Sequence, residues 1–256
     1  MPLLRPDVLI AGEGTSIVWL SRPLVDDGAS AVVASPDAAW EARLEQHWDL
    51  GRVQAACAAH DERTLPEGWP PGHTLNGDDR FRHAITLADR ERAKRAAAAI
   101  AASLNTGALG EPRPHYDVSC VTGGSWFPGW IVTVLPAAAG KANAAEWVRE
   151  KLAYPASRAV WAGDSDNDIS MMSTPMSGIV VGNANAELLE AVRQHDEAQG
   201  KGENEHLGTV YKASAHNAAG VLEGLEYCGF SGSDSLSSGL TGRLELLGGG
   251  SGGGFL

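Results

Sequence analysis

The sequence predicts an α/β protein in which a parallel-sheet core is interrupted by a separate α+β segment of about residues 35–135. Three observations lead there. From Ala144 onward the apolar period switches repeatedly between helical and extended, the alternation that βαβ units and parallel sheets produce. An apolar run, Ala159-Val160-Trp161, stops at Gly163 and passes into Asp164-Ser165-Asp166-Asn167-Asp168. In open α/β sheets, ligands bind at such carboxyl ends of strands. The middle segment lacks the alternation and carries an Ala-rich helix followed by two adjacent extended runs.

Taken in order, Val8-Leu9-Ile10 reads as a short buried strand running into the turn phrase Gly12-Glu13-Gly14-Thr15, and Ser16–Trp19 as the next strand. Ser35-Pro36-Asp37 reads as a helix start, with a capping serine and proline at the first helical position. Trp40, Leu44 and Trp48 then share one face at i, i+4, i+8. Gln54–Ala59 continues helix-like before the Pro-rich loop 66–72, and residues 88–104 form the strongest helix by intrinsic propensity. Strands at 116–121 and 130–135 flank a Gly-rich hairpin loop, 123–129. A helix from Ala144, a strand at 158–163, a helix from Ile169, a strand at 178–182 and helices at 186–194 and 217–227 complete the core. The Ser/Gly-rich tail from Ser231 cannot build a core and reads as disordered.

At 256 residues the chain has length for one large or two small domains. Its 20 Lys+Arg against 32 Asp+Glu leave a formal charge of −12. That argues against nucleic-acid and anionic-membrane partners, which need basic surface. It does not argue against a phosphorylated small molecule, since one lysine and a metal outweigh a negative average locally. Three cysteines, Cys57, Cys120 and Cys228, form no close-spaced pair, which suits a reducing, cytoplasmic compartment. No apolar run approaches the ~18–20 residues of a membrane span. The first residues carry proline and charge where a signal peptide has its apolar region. The eight tryptophans are not interleaved with basic residues, and read as packing.

The acidic phrase carries the chemistry. Hard oxygen ligands suit Mg²⁺, which in turn binds phosphate oxygens. Lys141, in Gly140-Lys141-Ala142-Asn143-Ala144, supplies a compact cation suited to the same phosphate. A lysine at a helix start is mildly unfavourable there, which favours a functional role. A calcium loop does not fit, because Ile169 stands where glycine is needed and Pro175 where glutamate is needed. His216 reads as structural, and Gly14 and Thr15 as a turn, with sugar contact as the alternative.

Gly140–Ala144 and Gly163–Asp168 resemble the third and fourth motifs of haloacid-dehalogenase-type (HAD) phosphatases, and within them the sucrose-phosphatase family. Supporting phrases are Pro6–Ile10 with Gly14–Ile17, His47-Trp48, Gly178–Ala184 and Tyr211–His216. The resemblance implies a HAD-like (Rossmann-like) core from residues 1–34 and 136–230, with an inserted cap at 35–135. It implies phosphomonoester hydrolysis through an aspartyl-phosphate with Mg²⁺, on sucrose 6-phosphate, with sucrose-phosphate synthase as a candidate partner. Asp164 and Asp168 would serve the metal, Lys141 the catalytic neutralisation of the phosphate, and Asn143, Asn167, Gly14, Thr15 and Arg82 the substrate. Cytoplasm is the expected compartment, with a plastid left open.

The sequence also departs from the family. The nucleophile motif, Asp-x-Asp-x-Thr after the first strand, does not occur in it, nor does the second-motif Thr or Ser. Asp164-x-Asp166 follows a strand but has Asp168 in place of Thr, Gly163 before it, and Lys141 upstream instead of downstream. The expectation is an N-terminally truncated phosphatase, inactive as written; the alternative is a non-catalytic binding module like the phosphatase-like region of sucrose-phosphate synthases. In the cap, Phe81-Arg82-His83-Ala84-Ile85-Thr86 stands where relatives show a Trp-Lys-x-Ser-Tyr-His-like phrase, and Ser16 replaces an acid.

Overall fold

The structure, a computed structural model, describes residues 6–21, 33–60, 79–106, 115–122, 129–199 and 209–230. The chain divides into two compact units, one of Met1–Asp7, Leu20–Ala34 and Glu146–Leu256, the other of Val8–Trp19 and Ser35–Ala145. The Pro-rich loop, most of the 123–129 hairpin loop and the Ser/Gly tail lie outside the described residues.

In the Val8–Trp19/Ser35–Ala145 unit, strands β1 (Val8–Ala11) and β2 (Ser16–Ser21) pair antiparallel, with Ala11 opposite Ser16. Their sheet has the order β1-β2-β3, β3 being Val33–Pro36. The expectation of a buried first strand needs correction, because β1 stands at the end of that order and Leu9 and Ile10 are exposed. Helix α1 (Ala38–Glu45) is capped by Asp37, not Ser35, since Ser35 and Pro36 finish β3. The Asp37 carboxylate accepts from the Trp40 amide at 3.2 Å and from the Trp19 indole at 2.9 Å, so it secures both the helix start and β2. Trp40 and Leu44 are fully buried. Trp48 falls beyond the helix and donates to the Arg80 carbonyl at 2.8 Å.

Helices α2 (Leu50–Ala58) and α3 (Arg90–Asn105) start at Asp49 and Asp89, whose side chains accept from Arg52 N and Arg92 N. They pack on a three-stranded antiparallel sheet of order β4-β6-β5, made of His83–Leu87, Trp130–Pro136 and Tyr116–Thr122. The core between them holds Val53, Ile85, Ile100, Leu104, Val132 and Val134. Helix α4 (Lys141–Lys151) starts three residues before the helical period becomes visible in the sequence.

In the Glu146–Leu256 part, β7 (Val160–Gly163), β8 (Ser177–Val180) and β9 (Val210–Lys212) form a parallel sheet of order β7-β8-β9. The parallel core is as the alternation predicts. The link from β7 to β8 is a 3-10 helix, Asp166–Ser173, not an α-helix from Ile169. Ser173 and Thr174 each donate to the carbonyl three residues back, Ser170 and Met171, at 2.7 Å, and Pro175 follows. Side chains competing for local carbonyls and a nearby proline favour the tighter winding over a long helix.

Helix α5 (Ala186–Gln199) starts with the Asn185 side chain accepting from Leu188 N, and α6 (Asn217–Tyr227) packs on β8. Ile179, fully buried in the central strand, lies under Gly224 of α6, where an added Cβ would meet it at 2.5 Å. Ile179→Ala is expected to cost about 2–5 kcal/mol, and Gly224→Ala about 1–3 kcal/mol by overpacking. Urea unfolding of the two single variants and of Ile179→Val combined with Gly224→Ala checks this. The combination should recover part of the loss, because the smaller side chain makes room for the methyl group.

Candidate functional site

Gly163 ends β7 because nothing larger fits: an added Cβ would lie 2.7 Å from Asp168 Cβ, Cγ and Oδ2. Asp168 is buried, and its Oδ2 accepts from Asp164 N at 3.1 Å and Ser165 N at 3.3 Å. The carboxylate is thus folded back onto the strand end, where the backbone N–H groups offset its burial. Asp164 is exposed, and among the described residues its side chain makes no hydrogen bond. Ser165 Oγ donates to Asn167 Oδ1 at 2.8 Å, and Asn185 N donates to the Asp164 carbonyl at 2.9 Å.

The same sheet edge carries the turns after β8 and β9. Gly182 N donates to the Ala215 carbonyl at 2.8 Å, and Asn217 N to Asn183 Oδ1 at 2.7 Å. His216, exposed, precedes α6 and makes no side-chain capping bond there. Sequence reasoning missed Glu223. From α6 its carboxylate accepts from Ser214 N (2.9 Å), Ala215 N (2.8 Å) and Tyr211 Oη (2.9 Å). These bonds hold its carboxyl at about 2, below the ordinary carboxylate value. Only its place nearly two turns into a helix past a strand hints at that role.

A depressed folded-state pKa contributes stability that is present above the unfolded value and lost as pH falls through the folded one. Wild type should therefore melt above Glu223→Gln at pH 6. The gap should close between pH 4.5 and about 2. Paired thermal melts across that range check it, and a gap independent of pH would contradict it.

In the other unit, Lys141 is the first residue of α4, half-buried, after Gly140 at φ +97°. Asn143 Nδ2 donates to the Ala139 carbonyl at 2.7 Å and to that of Ala137 at 3.4 Å, which ties down the turn ahead of the helix. Gly14 rests flush on this turn: a Cβ there would lie 2.4 Å from the Gly140 carbonyl oxygen and 3.1 Å from Ala144 Cβ. Its own carbonyl accepts from the Trp40 indole at 3.0 Å. Thr15 is buried, its hydroxyl 2.9 Å from both the Gly12 carbonyl and Asp79 Oδ2. Asp79 also accepts from Phe81 N at 3.1 Å, a role with no signal in the sequence. Arg82 Nε lies 3.4 Å from Glu13 Oε1. Glu13 itself sits at φ +59°, which costs a non-glycine residue roughly 1–2 kcal/mol.

Asp164, Asn167 and Asp168 therefore share one turn, whereas Lys141, Asn143, Gly14, Thr15 and Arg82 belong to the other unit. Among the described residues no group of three or more His, Cys, Asp or Glu side chains could hold a metal ion. Mg²⁺ does not need such a cage, being bound through one or two carboxylates, water and substrate phosphate. An exposed carboxylate at a strand end, in a turn whose shape is already fixed, fits that pattern. Among the described residues no helix is long and apolar enough to cross a membrane.

The sucrose-phosphatase of Synechocystis sp., solved with sucrose and phosphate, matches with a TM-score of 0.61 at 21% identity, over 88% of this chain and 75% of that one. A family model, sucrose-6F-phosphate phosphohydrolase, matches residues 116–229. Sucrose-phosphatase 1 of Nicotiana tabacum is 26% identical over 193 residues, 74% of this chain and 38% of its own. Probable sucrose-phosphatase 1 of Arabidopsis thaliana is 29% identical over 193 residues, again 74% and 38%. The chain is thus similar to sucrose-phosphatases over residues 116–229 by the family model and over 193 residues by these relatives. It spans 38% of the length of these curated relatives.

Proposed function

We propose that this chain binds a sugar phosphate with Mg²⁺ as part of a phosphatase acting on sucrose 6-phosphate, giving sucrose and phosphate. The observation that carries the reading is the Gly163–Asp168 turn at the carboxyl end of β7, inside the stretch that the family model matches. Asp164 and Asp168 would hold the ion, which when bound neutralises phosphate charge. Asp168 fixes the turn through the two backbone amides, and Asn167 stays oriented through Ser165. Lys141 provides a point charge for the phosphate, and Asn143 keeps its helix start in place. Gly14 and Thr15 shape the neighbouring turn, and Arg82 faces the substrate. Residues 35–135 take the part of a cap that reads the sugar. A cytoplasmic setting and sucrose-phosphate synthase as a partner complete the proposal.

The alternative reading is a sugar-phosphate-binding module without turnover. A carboxylate nucleophile is what lets such enzymes split the reaction into two steps. One experiment separates the two readings. Binding of sucrose 6-phosphate and release of phosphate are measured with Mg²⁺ and with a chelator, on the chain as it stands and on one preceded by a strand ending in Asp-x-Asp-x-Thr. Mg²⁺-dependent binding by both and release only by the second supports the phosphatase. Binding without release by either supports the module. No binding by either sinks both.

A further inference from the structure

Gly12, Glu13 and Gly14 stand in succession at φ +58°, +59° and +89°. Glycine is the natural occupant of such a run, so the glutamate in its centre needs a reason. The turn does not depend on its side chain. Thr15 Oγ1 bonds to the Gly12 carbonyl and to Asp79, and the Trp40 indole bonds to the Gly14 carbonyl. The Glu13 carboxylate faces Arg82 instead, Nε to Oε1 3.4 Å, with the two side chains only 24% and 18% exposed. An ion pair withdrawn this far from water is weak evidence for stability, because desolvation offsets its attraction. Strain and a half-buried charge pair in one turn are the marks of a residue kept for what it contacts.

The neighbourhood indicates what that is. Gly14 lies against Gly140, one residue before Lys141, in the same unit. A carboxylate only accepts hydrogen bonds and a guanidinium only donates them. Side by side they match a hydroxyl group, which does both, and neighbouring hydroxyls on a sugar ring match them best.

We propose that Glu13 is a specificity-determining residue which, paired with Arg82, reads hydroxyl groups of the sugar whose phosphate is held at Lys141. This rests on the sugar-phosphate reading above. It makes the Gly12–Thr15 turn a recognition element and not merely a connection between strands.

The test is calorimetric titration of the chain, in Mg²⁺, with sucrose 6-phosphate and separately with inorganic phosphate, for wild type, Glu13→Gln and Glu13→Gly. Both variants should bind sucrose 6-phosphate about 10–100-fold more weakly, the loss of hydrogen bonds to a charged group, with inorganic phosphate unchanged. Glu13→Gly relieves the left-handed strain but leaves the Arg82 guanidinium without its carboxylate, so thermal melts accompany the titrations, and variants that are fully folded at the titration temperature exclude unfolding as the cause of weaker binding. Equal weakening of both ligands, or of neither, overturns the proposal while leaving the sugar-phosphate reading intact. If wild type binds neither ligand, that reading falls and the proposal with it.

Discussion

Lys141→Ala is expected to weaken binding of sucrose 6-phosphate by about 10–150-fold, the range for a hydrogen bond to a charged group of about 1.5–3 kcal/mol. The same change should cost the fold little by comparison, since Lys141 opens α4, where its charge opposes the helix dipole by ~0.3–1 kcal/mol. Lys141→Arg should restore only part of the affinity, because a planar fork does not replace a compact ammonium. Calorimetry and thermal melts on the three proteins decide the matter. Affinity within about twofold of wild type in the alanine variant would remove Lys141 from the phosphate site.

The second large effect distinguishes two aspartates four residues apart. Asp164 is exposed and makes no side-chain hydrogen bond among the described residues, so Asp164→Asn should change stability by no more than ~0.5 kcal/mol. Its effect should appear in Mg²⁺-dependent phosphate binding, at least the ~10–100-fold that even an outer-shell partner costs. Asp168→Ala should lose both. It leaves the Asp164 and Ser165 amides without their acceptor, a loss of about 1–3 kcal/mol. Asp168→Asn keeps an acceptor oxygen and should keep most of that stability. Urea unfolding beside Mg²⁺ titration reads the two effects separately. Wild-type Mg²⁺ response in Asp164→Asn would contradict the metal assignment.

What was legible in the sequence is what local period and composition determine. Helix α3, with its run of alanines, and α6, over the expected 217–227, follow from propensity and pattern. The parallel sheet follows from alternation, and the acidic turn from its place after an apolar strand. Missed features depend on partners remote in sequence. The α1 cap moved from Ser35 to Asp37 because Trp19 supplies a second donor to that carboxylate. β1 looked buried on composition alone, whereas its place in the sheet leaves Leu9 and Ile10 exposed. Asp79 meets Thr15 across 64 positions, and Glu223 serves amides in another turn. No spacing rule reports either. The 3-10 segment lost its α-helical form to serine and threonine hydroxyls that propensity rates as merely neutral.

The folded-back carboxylate of Asp168 has a consequence for ion exchange. Its charge is balanced by backbone amides of its own turn, so, if the proposed Mg²⁺ binds there, the turn would keep its shape whichever divalent ion took that place. Stripping with a chelator and reloading should be reversible without refolding. Discrimination between a small ion and a large one then falls to a rigid carboxylate and to the phosphate it meets, not to a loop that remodels itself around its guest.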